Sequence, residues 1–309
     1  MRLANLDHRL RESAMWGMLL LSLLALAGAA ARAQSGPYGH VILSASSADG
    51  LEWTLDEGVR VEHASVPCAV VRPSDGAVLL YFVDAADVGP GKWESANVAV
   101  STDGVSFEKQ GLSIEGRTHE RALDPSIVLL PDGRFRLYYF SQGAGRIAEN
   151  EEHEIHSAVS TDGIRFVEEG VVIRAEGLVD PDVFRCGDAW LMYVFSLRAG
   201  GTRIARSDDG TSFRFLEDLG PRDWGTTAPV ALGDGRFRLY AFDQRAHTEN
   251  AVASFVSRDG ISWEREPGVR LRAPEGKQFT DPFVVVWKGG YRMYLKTEAT
   301  PRRRERRGR

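Results

Sequence analysis

The sequence predicts an all-β protein, a five-bladed β-propeller closed by N-terminal strands that complete the last blade. Three observations predict it. A Ser-x-Asp-Gly-x-x-aromatic box occurs five times, a Pro-to-Tyr hairpin pattern occurs five times between the boxes, and the two ends of the chain carry complementary halves of one repeat. Self-similarity at a period of about 40 to 55 residues marks an array of one supersecondary unit, and four-stranded units at that period are propeller blades.

The boxes begin at Ser47, Ser101, Ser160, Ser207 and Ser257, with Asp-Gly pairs Asp49-Gly50, Asp103-Gly104, Asp162-Gly163, Asp209-Gly210 and Asp259-Gly260. Each closes on an aromatic residue: Trp53, Phe107, Phe166, Phe213 or Trp263. Asp before Gly suits a tight turn, because the carboxylate accepts local amides while Gly supplies a positive φ. Turn chemistry accounts for the boxes completely, so they read as structural staples.

The second element starts at Pro67, Pro125, Pro181, Pro229 or Pro282 and ends at Tyr81, Tyr138, Tyr193, Tyr240 or Tyr294, across turns such as "PDGR", "GDGR" and "WKGG". Two β-rich runs around such a turn form a hairpin. The Pro suits the first residue of a strand, where no ladder N–H is needed. The order per repeat is therefore strand A from the Pro, B to the Tyr, C into the box and D from its aromatic. The chain opens with a C–D pair and closes with an A–B pair, and joining them completes a fifth blade with no free sheet edge. Strand direction puts the boxes on the bottom face. The residues preceding each Pro and the long B–C loops 83–97 and 141–154 share the top, where binding residues concentrate.

Residues 1–33 are expected to be an export signal. Arg2, Arg9 and Arg11 precede an apolar run from Met15 to Ala31, and Ala31-Arg32-Ala33 has a signal-peptidase form. The propeller then spans 34–300, and 301–309 is an Arg-rich solvated tail. The expected location is secreted or periplasmic, with no membrane association after cleavage. The remainder carries 34 Lys+Arg against 41 Asp+Glu, and without the tail the body is near −12. That balance excludes nucleic acid as a partner, since such binding depends on clustered positive charge. A monomer is expected. The two cysteines, Cys68 and Cys186, read as small buried residues of separate strands, with no zinc framework.

The irregular positions carry the functional reading. Asp124, Asp180 and Asp281 precede the strand-A Pro in three repeats, whereas Val66 and Ala228 stand there in the other two. A task at the channel mouth and a local hydrogen-bonding role both explain the three. Carboxylates brought together raise one another's pKa, which acid/base chemistry needs.

Five blades, Asp-Pro at inner-strand starts and "DGRFRLYYFS"-type second strands resemble the glycoside hydrolase superfamily of arabinanases, β-xylosidases and invertases (family 43-like) over roughly residues 40–297. The boxes are similar to sialidase Asp-boxes in degenerate form. The resemblance implies a carbohydrate partner and catalytic Asp124 and Asp180, with Asp281 offering a third carboxylate, acting in pairs as glycoside hydrolysis requires. The superfamily's acid, a Glu before Gly-Pro or Ala-Pro, falls here on Thr227 of Thr227-Ala228-Pro229. Glu120, Glu154, Glu176 and Glu249 are the replacements on the same face. Arg121 is placed to hold a carboxylate. Trp93, Trp224, Thr227 and His247 complete the substrate-binding candidates, with stacking on sugar rings and interior packing both open for the two Trp. No cofactor is expected, although a calcium ion among channel carboxylates is chemically reasonable. A non-catalytic glycan- or protein-binding propeller is the alternative.

Overall fold

The computed structural model describes residues 36–221, 223–244 and 250–299. The proposed signal segment, the Arg-rich tail, His247 and Glu249 lie outside them. The described residues form five antiparallel sheets arranged as propeller blades. Blade I runs Ala64–Val71, Val78–Asp84, Ser95–Ser101 and Glu108–Lys109 from axis to rim. Blade II runs Arg121–Leu129, Phe135–Gln142, Glu152–Ser160 and Arg165–Glu176, and Ser113–Glu115 pairs parallel with its outer strand. Blade III runs Leu178–Cys186, Ala189–Ser196, Gly201–Ser207 and Arg214–Leu219. Blade IV has a broken inner strand, Trp224–Thr226 then Val230–Ala231, followed by Phe237–Asp243, Ala251–Ser257 and the short pieces Glu264–Arg265 and Leu271–Arg272.

Blade V joins the two ends of the fold. Thr280–Trp287 and Gly290–Glu298 are completed by His40–Ser47, which pairs with the Gly290–Glu298 strand from His40↔Glu298 to Ser47↔Tyr291. Thr54–Leu55 and Val61–Glu62 finish the outer edge. The ring closes as the half-repeats predict.

The boxes lie between third and outer strands, and their chemistry repeats in all five blades. The box Ser hydroxyl accepts the Gly amide at 2.8–2.9 Å. The Asp Oδ1 accepts the second and third amides beyond it, as from Leu51 and Glu52 to Asp49. Each box also bolts one blade to the one before. The strand-B Tyr of the preceding blade donates to the box Gly carbonyl: Tyr81 to Gly163, Tyr138 to Gly210, Tyr193 to Gly260, Tyr240 to Gly50 and Tyr294 to Gly104. The box aromatic meets the same Tyr edge-on in every case, for example Trp53 on Tyr240 with centroids 5.4 Å apart. Edge-to-face geometry is the favoured contact of two rings.

Two kinds of filling surround these bolts. In blades II, IV and V an Arg two residues before the Tyr forms an ion pair with an acid on the outer strand side: Arg136–Glu169, Arg238–Glu266 and Arg292–Asp56, at 2.7–2.8 Å. Ser157, Ser254 or Ser44 donates to the same acid. In blades I and III the equivalent Arg and Ser positions hold Leu79 with Val98 and Leu191 with Ile204, all buried. At the acid position blade III has Leu216, which makes that site apolar throughout, and blade I has an exposed Gln110; in both, no buried charge is left without a partner.

The inner strands depart from the sequence reading in one respect. The Pro is not the first residue: Pro125 lies inside Arg121–Leu129 and Pro181 inside Leu178–Cys186. The register slips there, between Tyr138 and Phe140 in blade II and between Val179 and Pro181 in blade III. A bulge removes the need for the N–H that Pro lacks, so the strand continues through it. The residue before the Pro adopts a left-handed backbone in four blades: Val66 (φ 49°), Asp124 (51°), Asp180 (49°) and Asp281 (51°). Asp tolerates this region, but a β-branched Val does so only under strain. Because Val66 holds the same geometry, the bulge alone does not demand Asp.

Candidate active site

Three of the four bulge residues, Val66, Asp180 and Asp281, face the propeller axis at its top end; in blade II it is Pro125 and not Asp124 that does so. A cavity of about 40 Å³ opens there, lined by residues of all five inner strands, including Val66, Pro125, Asp180, Asp182, Thr227 and Asp281. Phe195 and Phe242 from second strands complete its wall. It has room for a few water molecules.

Asp124, Asp180 and Asp281 are brought together here, and each acts on the others. The Asp180 amide lies 3.4 Å from Asp124 Oδ2, donating across the blade II–III boundary. Burial pushes the Asp124 carboxyl up to about 6; the Asp180 amide opposes the shift, and the Asp281 and Glu94 charges add to it. Asp180 is raised well above the usual carboxylate range by burial and by the charges of Asp124 and Asp281. Asp281 is tied to Lys296, with Nζ 2.7 Å from Oδ2, and accepts from the Thr280 hydroxyl at 3.3 Å. Burial works to lower the Lys296 ammonium, but the Asp281, Asp180 and Asp124 charges outweigh it and raise its pKa. One cation thus serves three carboxyl groups. Among the described residues no group of three or more His, Cys, Asp or Glu side chains is arranged to hold a metal ion.

Two members of the site were missed from the sequence. Asp182 lies two residues beyond Asp180 on the same strand, lines the cavity, and is raised well above the ordinary range by burial, with the Ala228 amide opposing. The bulge sets Asp180, Pro181 and Asp182 along the cavity in succession, which strand alternation does not predict. Lys296 stands two residues after Tyr294, where the other repeats have Val83, Phe140, Phe195 and Phe242. It is an exception within the array, like the aspartates, and the same comparison of copies would have found it.

The other candidates are placed less centrally. Thr227 lines the cavity, but its hydroxyl donates to the Pro282 carbonyl at 2.9 Å and to the Tyr240 carbonyl at 3.3 Å. Arg121 does not hold a channel aspartate. It pairs with Glu94 at 2.9 Å and donates to the Gly143 and Gly145 carbonyls at 3.1 and 2.7 Å, because strand alternation turns it from the axis toward the blade I and II loops. Trp224 packs edge-on against Phe255, centroids 5.6 Å apart, with the Arg265 guanidinium over its ring, and is thus an interior residue of blade IV. Trp93 stays on the surface of the top face.

Glu120 is exposed near Gly143 and does not line the cavity. Glu154 is engaged by His156 and Arg174, and Glu176 by Arg198. His156 is held deep in blade II, with its Nδ1 2.6 Å from Glu168 and its Nε2 3.2 Å from Glu154. Cys68 and Cys186 are free.

No family model matches the chain, and no curated protein matches it in sequence. Solved structures do match its fold. A thermostable family-43 glycoside hydrolase superposes with a TM-score of 0.55 at 14% identity, covering 75% of this chain and 88% of that one. The RS223 β-xylosidase gives 0.55 at 14% identity, over 77% of this chain and 92% of its own. An N-acetylgalactosamine deacetylase from F. plautii, solved with blood group B trisaccharide, gives 0.55 at 14% identity over 79% and 81%. At such identity the likeness establishes the five-bladed architecture, and the neighbours' different reactions illustrate that one fold hosts several chemistries.

Proposed function

We propose that the protein is an exported carbohydrate-active propeller that hydrolyses a glycosidic bond at the axial channel mouth. The observation that carries this reading is the convergence of Asp124, Asp180 and Asp281 beside one half-buried lysine, with burial and mutual charge raising the first two to different extents. Groups whose environments drive their pKa values apart are suited to opposite proton-transfer roles. Asp124, near 6, is the base that takes a proton from water, and its neighbour Pro125 lines the water-sized cavity of about 40 Å³. Asp180, whose carboxyl is raised well above the usual range by burial and by the Asp124 and Asp281 charges, is the donor the site offers to the leaving oxygen. Asp281, paired with Lys296, supplies fixed charge beside the forming oxocarbenium.

A second reading keeps the carbohydrate and drops the chemistry. Thr227 stands where the resemblance would put a Glu, and its hydroxyl is committed to backbone carbonyls. A propeller that binds glycan on this face without cleaving it fits that observation.

The test is a hydrolysis screen over aryl-glycosides and polysaccharides with the wild type, Asp124→Asn and Asp180→Asn. Activity lost by at least about a hundredfold in both variants supports the acid/base assignment. Activity unchanged in Asp124→Asn removes the proposed base. Glycan binding without turnover selects the second reading.

A further inference from the structure

A second cavity, of about 190 Å³, lies on the top face of blade I, lined by Asp84, Asp87, Trp93, Asn97 and Leu112 among others.

The rim cavity is built rather than incidental. Trp93 is 46% exposed, yet its ring is held: the Arg121 guanidinium lies 5.5 Å from the ring centroid. Arg121 is itself only 3% exposed and is fixed by Glu94 and by the Gly143 and Gly145 carbonyls. The opposite wall is equally rigid. Asp84 accepts from Asn97 Nδ2 at 2.8 Å and from Lys109, and Asn97 Oδ1 accepts the Val98 and Leu112 amides. Asp87 is exposed at the edge. A large aromatic kept in place at the surface with polar acceptors around it has the composition of a sugar-stacking platform, apolar for the ring face and polar for its hydroxyls.

The platform is joined to the channel mouth. Glu94 follows Trp93 in sequence and pairs with Arg121, the first residue of the strand Arg121–Leu129 that carries Asp124. We infer that Trp93 and the rim cavity form a second sugar subsite continuous with the channel mouth, so that the ligand is an extended glycan whose rings over blade I are neutral or basic rather than uronic. The inference rests on the carbohydrate reading above and holds for hydrolysis and for binding alike. The charge preference follows from Asp87, the exposed carboxylate of the lining, which accepts hydroxyl or ammonium donors and repels carboxylates, whereas Asp84 is neutralised by Lys109.

The full chain is tested at 4 °C on a printed array of neutral, amino and uronic oligosaccharides two to eight residues long, with calorimetry on the best pair of lengths. Binding is expected to tighten at least about tenfold between two and six residues, with Trp93→Ala abolishing that gain and Trp93→Phe keeping most of it. Asp87→Lys, which leaves the Trp untouched, is expected to shift preference toward uronic chains. A length gain unchanged in Trp93→Ala, or a wild-type preference for uronic chains, overturns the subsite while leaving the carbohydrate reading in place. Retention of no glycan by the wild type overturns that reading and the subsite with it.

Discussion

The Tyr294 hydroxyl donates to the Gly104 carbonyl at 3.1 Å, across the boundary where blade V meets blade I. It is one of five equivalent bonds, so the ring is held by the same contact at every boundary.

The box Gly is the less replaceable partner of each pair. A Cβ at Gly163 would lie 2.5 Å from Leu79 Cδ2 and 2.9 Å from the Tyr81 hydroxyl, at φ +74°. Gly163→Ala is expected to cost about 3 kcal/mol, from left-handed backbone strain and overpacking together. Tyr81→Phe, which removes one hydrogen bond and leaves the ring in place, should cost about 1 kcal/mol. Urea unfolding of both variants checks the order; equal losses would mean the close approach at Gly163 carries no strain.

The polar and apolar fillings around the bolts predict non-additive mutation. Arg136→Leu alone strands Glu169 and Ser157, and since Glu169 keeps a quarter of its side chain in solvent the cost should be about 2–3 kcal/mol. Adding Ser157→Ile and Glu169→Leu copies blade III and should recover most of the loss. A triple variant no more stable than the single one would refute the equivalence of the two fillings.

Asp124 predicts a pH dependence of stability with a definite sign. Its folded pKa, about 6, lies above the ordinary 3.8, so the folded state binds more protons between those values. Stability contributed by this group therefore falls as pH rises from about 4 to 6, and Asp180 and Asp182 act in the same direction over a wider window. Calorimetric melting of wild type and Asp124→Asn from pH 4 to 7 should give curves that diverge, with the variant losing less on the alkaline side. Parallel curves would show that Asp124 does not titrate in this range.

Lys296 is the counter-charge of the cluster, and its removal should be conditional on pH. Lys296→Met leaves Asp281 buried beside two further carboxyl groups, at an expected cost of about 3–5 kcal/mol at pH 7. At pH 5 the carboxyls can take up protons and the cost should shrink by more than half. In an active wild type, the acid limb of the kcat/KM profile should sit near pH 6 and move upward in this variant. An equal cost at both pH values would mean that Lys296 acts by packing alone.

The blade count, the ring closure and the bottom-face position of the boxes were legible because each rests on a local rule repeated five times. The bulge was not. A Pro fits a strand's first residue and a bulge equally well, and only the register slip between Tyr138 and Phe140 distinguishes them. The aspartates were legible as exceptions to the repeat, and Lys296 was available by the same comparison. Arg121 was read beside Asp124 but holds the Glu94 carboxylate, and of the two roles left open for Trp224 the structure shows packing, against Phe255. Asp182 was overlooked because the unforeseen bulge brings three consecutive residues, Asp180, Pro181 and Asp182, to the cavity.

The pairing of His40 with Glu298 has a consequence for the order of the chain. A ring whose five joints are chemically alike has no intrinsic first blade, and the point of entry is an accident of where the backbone is cut. Linking residues 299 and 36 and reopening the chain between blades III and IV would give a circular permutant with every Tyr–Gly joint intact. Such a permutant should reach the same fold along a different sequence of closures, with the last joint to form moved to another side of the ring.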